Sequence, residues 1–75
     1  MPKRDPVLAD FGLHLRQWRE AKGLTQARLA KKANLDQTYI SGIERGLRNP
    51  GIKNVARLAK GLGISTAKLV KGVNA

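Results

Sequence analysis

Four residues suited to left-handed backbone cut this chain into short pieces: Gly23, Asn34, Gly46 and Gly63. Glycine has no Cβ to clash in that conformation, and asparagine tolerates it better than most residues. Two positions after the first, second and fourth of them stand Thr25, Asp36 and Ser65. Their side-chain oxygens are the kind that accept the free N–H groups of a helix's first turn. A chain punctuated in this way makes short helices joined by tight turns.

The apolar spacing between the stops is helical. Leu8, Phe11, Leu15 and Trp18 recur at intervals of 3, 4 and 3, which predicts a helix over 7–22 with one buried stripe. Thr25 caps a second helix, 26–33, facing inward with Leu29, Ala30 and Ala33. Arg28 occupies the third position, where a capping box would hold Glu or Gln, and a base there opposes the helix dipole. Asp36 caps a third helix, 37–44 or 45, with Ile40 and Ile43 inward. After the loop 47–51, a fourth helix is expected over 52–61, with Ile52, Val55, Leu58, Ala59 and Leu62 on one side. Ser65 caps a last one over 66–71, with Leu69 and Val70 apolar. The expected fold is all-α, a compact five-helix bundle. Residues 1–6 read as an N-terminal arm, 7–72 as the domain and 73–75 as a tail.

Seventy-five residues allow one domain with a small core. No cysteine is present and His14 is the only histidine, which excludes disulfides, thiolate chemistry and a His-rich metal cluster. His14 lies off the first helix's apolar stripe and is expected to be exposed. No apolar run reaches membrane-spanning length, and no signal peptide is visible, which favours a cytoplasmic location. Lys and Arg number 15 against five acids, and residues 49–75 hold no acid at all. A surplus of this size points to a polyanion, with nucleic acid the leading partner. Glu44 and Asp36 lack a second catalytic group, so no enzyme is expected. No cofactor or metal is implied.

The segment from Thr25 to Gly46 carries the functional signal. Small Ala30 lets two helices approach, and Leu35, Ile40 and Ile43 fill the wedge between them. The third helix keeps a short polar outer face, the shape a helix-turn-helix presents to the major groove. This chain resembles the lambda-repressor-like (Cro and XRE type) helix-turn-helix family of phage repressors and small bacterial regulators. The likeness runs from about Phe11 to Gly72. It rests on Phe11-Gly12, Leu15-Arg16-x-Trp18-Arg19, Gly23-Leu24-Thr25-Gln26 and Leu29-Ala30. It continues in Ile40-Ser41-x-Ile43-Glu44-Arg45-Gly46, Arg48-Asn49-Pro50 and Leu58-Ala59-x-x-Leu62-Gly63-Ile64-Ser65.

The resemblance implies roles residue by residue. Gln37, Thr38, Ser41 and Gly42 match base-reading positions, and Tyr39 lies beside them. Gln26, Arg48 and Asn49 match backbone-contacting positions, with Arg28 and Arg45 added for their charge. Arg19 and Glu44 match a buried structural pair. Two departures stand out: Asn34 holds the turn position usual for glycine, and Gly42 adds no polar group to the reading face. The implied function is a sequence-specific double-stranded-DNA-binding transcriptional regulator, a dimeric repressor or controller protein on a pseudo-palindromic operator. The alternatives are an antitoxin or a protein-interaction adaptor on the same helical domain, with a toxin or polymerase as further partner. A homodimer is expected through Ile64, Leu69, Val70 and Val73. Trp18 and Phe11 are expected in the core.

Overall fold

The computed structural model describes residues 5–73. The chain forms α1 (Pro6–Ala21), α2 (Gln26–Ala33), α3 (Gln37–Glu44), α4 (Gly51–Leu62) and α5 (Thr66–Val70). α1 opens one residue before the expected start. Pro6 needs no N–H at the first helical position, and Asp5 Oδ1 accepts from the N–H groups of Val7 (2.8 Å) and Leu8 (3.2 Å). Asp5 and Pro6, read from sequence as arm, therefore build the helix terminus, while residues 1–4 of that arm lie outside the described residues. α1 ends one residue early, at Ala21, and so does α5, at Val70. α4 runs one residue further at each end than expected.

The helix starts and stops follow from local chemistry. Thr25, Asp36 and Ser65 each accept a backbone N–H of the following turn, from Arg28, Thr38 and Lys68. Pro50, preceding α4, offers no such oxygen. Asn49 supplies it instead, accepting from the Gly51 N–H at 3.1 Å. At the other ends, the N–H groups of Leu24, Leu35, Leu47 and Ile64 reach back to the carbonyls of Arg19, Ala30, Gly42 and Ala59. These bonds close the four stops as Schellman turns, each with a residue at positive φ. Leu24, Leu35 and Ile64 fold back onto the core. Leu47 stays exposed.

Asn34 is the one non-glycine among the described residues at positive φ, at φ 56°, ψ 47°. A Cβ in that region carries a penalty that asparagine reduces and glycine avoids. Asn34→Gly is expected to stabilise the domain by roughly 0.5 kcal/mol, raising Tm by about 2–4 °C. A lowered Tm in thermal denaturation would refute that account of the turn.

Each helix delivers at least one side chain that solvent cannot reach: Leu15, Leu29, Ile40, Ile43, Leu58 and Leu69. α2 packs on α4 and α3, α1 on α3 and α5, and α4 on α5. Phe11 is buried, whereas Trp18 is half-buried at the core's edge with Lys68 Nζ 5.8 Å from its ring centroid. Ile52 departs from the expected stripe. It sits in the first turn of α4, beyond the edge of the core, and is 74% exposed. His14 is half-buried, not exposed, because the turn at Gly72 closes over its Nε2. Its Nδ1 donates to the Asp10 carbonyl at 2.9 Å.

Candidate DNA interface

α2 and α3 are joined by only Asn34, Leu35 and Asp36, so the two helices cannot separate. Leu35, half-buried, packs against the core beneath the turn. Ile40 and Ile43 commit one face of α3 to the core, which leaves the opposite face to solvent. That outer face carries Gln37 and Thr38, both exposed, and then Ser41 and Gly42 one turn on, both half-exposed. The i, i+4 relation of Gln37 to Ser41 and of Thr38 to Gly42 makes these four one surface.

The orientation of α3 is set by a buried ion pair. Arg19 Nε donates to Glu44 Oε2 at 2.6 Å, and a terminal guanidinium nitrogen donates to Glu44 Oε1 at 3.0 Å. The other terminal nitrogen donates to the Leu24 carbonyl at 2.8 Å. Gln26 Nε2 adds a bond to Glu44 Oε1 at 3.1 Å. The last residue of α3 is thus tied to α1, to the turn after α1 and to the first residue of α2. Side-chain exposure is 12% for Arg19 and 4% for Glu44. The hydrogen bond to Glu44 is the main reason the Arg19 guanidinium is held above its already high ordinary pKa, against the opposing effect of burial. Gln26 has spent one amide hydrogen on Glu44 and keeps the second for another acceptor.

A second set of contacts joins α3 to the loop that follows it. The Tyr39 hydroxyl donates to the Asn49 carbonyl at 3.4 Å and accepts from Asn54 Nδ2 at 3.2 Å. Arg48 lies over the Tyr39 ring, its guanidinium carbon 6.0 Å from the centroid. Arg48 also crosses Gly42: a Cβ there would lie 2.7 Å from Arg48 Cγ. The missing side chain at 42 therefore makes room for an arginine from the loop. Sequence reading does not reveal this use of Gly42, because the two positions meet only in the fold. Nor does it single out Asn54, which a helical pattern shows merely as a polar residue.

Tyr39 is half-buried with its hydroxyl already engaged, so it braces the loop beside the reading face. Arg28, Arg45, Arg48 and Asn49 are all exposed around the α2–α3 unit. The two carboxylates of that unit are both occupied, Asp36 as a cap and Glu44 in the buried pair. Of the apolar residues expected to pair two copies, Leu69 is fully buried and has no surface to offer. Ile64 and Val73 are half-buried and Val70 is exposed.

A polar helix face, locked to the core by its far end and bordered by exposed cations, defines a helix-turn-helix DNA-binding regulator. Residues 15–69 match the helix-turn-helix family model. The chain is 41% identical over 61 residues to the control protein C.BamHI of Bacillus amyloliquefaciens, covering 80% of this chain and 75% of that one. Among solved structures it is similar to the restriction-modification controller protein C.AhdI from Aeromonas hydrophila. The TM-score there is 0.81 and the identity 45%, over 83% of this chain and 94% of that one. It is also similar to the controller protein C.Esp1396I, solved as a tetramer in complex with its natural 35 base-pair operator. That match has TM-score 0.85 and 40% identity, over 92% of this chain and 91% of that one. The chain belongs to the helix-turn-helix family, within its controller and repressor proteins. No helix among the described residues is long and apolar enough to cross a membrane.

Proposed function

We propose that this protein is an operator-binding controller whose α3 enters the major groove. The observation that carries the reading is the outer face of α3, held in one orientation by the buried Arg19–Glu44–Gln26 network. Gln37 and Thr38 read base edges, with glutamine able to pair bidentately with adenine. Ser41 adds a polar contact, and Gly42 leaves the room across which Arg48 lies. Gln26, Arg28, Arg45, Arg48 and Asn49 hold phosphates, which supply affinity without sequence information. Tyr39 acts by fixing Arg48 and Asn49. The named relatives are controller proteins, which supports this reading over an antitoxin or an adaptor. The place of action is the cytoplasm.

One domain of this kind buries only about 600–1,000 Å² on DNA, so two copies on an inverted repeat are expected, with half-sites about 34 Å apart. The apolar surface available for pairing centres on Ile52, Val70 and Val73, around a shallow pocket of about 270 Å³ also lined by Val7 and Leu8. Leu69 serves the monomer core.

Selection from a random duplex library, followed by titration at several salt concentrations, tests the proposal. An enriched inverted repeat is expected. Gln37→Ala should lower the preference for it over unrelated DNA by about 1–3 kcal/mol. Arg48→Ala should weaken both duplexes alike and reduce the salt slope by about 1. Absence of any enriched motif would refute the operator-binding reading.

A further inference from the structure

The carboxylates of this chain are spent within the monomer. Asp5 and Asp36 cap helices, Asp10 and Glu20 face His14 and Arg16 one turn away, and Glu44 holds Arg19. The cations are not spent in the same way. Arg28, Lys31 and Lys32 line a surface cleft of about 450 Å³ along α2. Lys32 continues into a second cleft, of about 220 Å³, with Ala33, Asn34, Arg57 and Lys60. The two clefts share Lys32, so five cations form one continuous track. It runs from the first turn of α2 to its last residue and across onto α4. All five are exposed, and among the described residues no carboxylate pairs with any of them.

We propose that this track binds the phosphate backbone of the DNA flanking the operator half-site, as the duplex curves around the domain. This rests on the operator-binding reading above, which already places Arg28 on a phosphate. The track is continuous with that contact. Its composition suits a phosphate backbone better than a protein surface. Apart from the lysine and arginine stems, its lining offers only Ala33 and Asn34. No aromatic or branched apolar anchor is there to serve as a protein hot spot. Phosphates need only cations and N–H donors. The i, i+3 and i, i+4 spacings of Arg28, Lys31 and Lys32, and of Arg57 and Lys60, set like charges side by side in two rows. A polyanion lying between the rows relieves that repulsion along its whole length.

The test compares wild type with a Lys32→Ala/Arg57→Ala/Lys60→Ala variant. The probes are an inverted-repeat duplex of about 20 bp and the same repeat with flanks extending it to about 40 bp. Wild type should bind the flanked duplex with a steeper salt dependence and about tenfold more tightly at low salt. The variant should lose that advantage, its salt slope on the flanked duplex falling by about 2–3 per protomer, while the short duplex is bound as before. A second variant, Lys22→Ala/Lys68→Ala/Lys71→Ala, removes the same charge elsewhere and should keep the flank advantage. If flanks add nothing for wild type, or both variants lose the same slope, the track is an ordinary solvated surface. If selection yields no repeat, the slopes are measured on an arbitrary duplex of about 40 bp, where equal slopes for wild type and the track variant would overturn the proposal. Gln37→Ala separates the two readings: it should alter sequence preference and leave the flank advantage intact.

Discussion

Glu44→Ala is expected to cost about 3–5 kcal/mol of unfolding free energy, enough to bring a domain of this size close to its stability limit. The cost comes from what is left behind. Arg19, 12% exposed, loses two of its three side-chain bonds and keeps only the Leu24 carbonyl. A buried guanidinium without its counter-charge has no good alternative, since it does not deprotonate. Gln26 loses its acceptor in the same step. Thermal denaturation should show Tm lowered by at least about 12 °C, and a fall of less than about 4 °C would contradict the burial argument. A double variant, Arg19→Met/Glu44→Leu, should recover much of the loss, because an apolar pair removes both desolvation penalties. Its DNA binding should recover less, because Gln26 remains without its anchor. The pH dependence has a definite sign. Arg19's folded pKa is raised, so its contribution is complete below the unfolded value and is lost only as pH climbs through the folded one. Across the neutral range this arginine therefore adds a constant term.

Gly12→Ala should destabilise the domain by about 3 kcal/mol, the upper part of the range for overpacking. Gly12 lies on the buried face of α1, where a Cβ would stand 2.4 Å from the Ile43 carbonyl oxygen and 2.6 Å from that of Glu44. Both obstacles are backbone, so no rotamer change relieves them. α3 would have to back away from α1, stretching the Arg19–Glu44 pair. A glycine inside a helix costs roughly 0.5–1 kcal/mol relative to alanine, and here that cost permits the close approach. Gly42→Ala is the matched control. Its added Cβ meets Arg48 Cγ, a side-chain atom that a χ1 rotation can move, so stability should fall by less than about 1 kcal/mol. Chemical denaturation of both variants checks the contrast. Equal losses at 12 and 42 would mean that backbone proximity is not what decides them.

The helix boundaries were legible from sequence because they depend on neighbours within about five residues. Thr25, Asp36 and Ser65 cap, and Gly23, Asn34, Gly46 and Gly63 stop, through bonds that stay inside one turn. The start of α1 is equally local, yet residues 1–6 show no apolar period, so Asp5-Pro6 falls in the expected arm although it caps and opens the helix. The inner faces of α2 and α3 followed from the helical period. So did the polar outer face of α3, whose residues are outward because Ile40 and Ile43 are inward.

The period failed where burial depends on how far a neighbouring element reaches. Ile52 has the spacing of a core residue, yet at the second position of α4 it lies beyond the core's edge and is exposed. His14 has the spacing of an exposed one, yet the turn at Gly72 lies over it. Leu69 and Val70 are equally apolar in sequence, and only the docking of α5 on α1 and α4 makes the first core and the second surface. The same holds for Tyr39, whose hydroxyl finds Asn49 and Asn54 only when the loop after α3 and the start of α4 fold back beside it. By itself the sequence determined five short helices, their inner stripes and a surplus of positive charge, because these follow from local bonds and composition. Tertiary packing alone decided which cations stand together. Lys32 and Arg57 are far apart along the chain, and they share one cleft because α2 packs on α4, where Gly61 lets the two helices come close at Leu29 and Ala33.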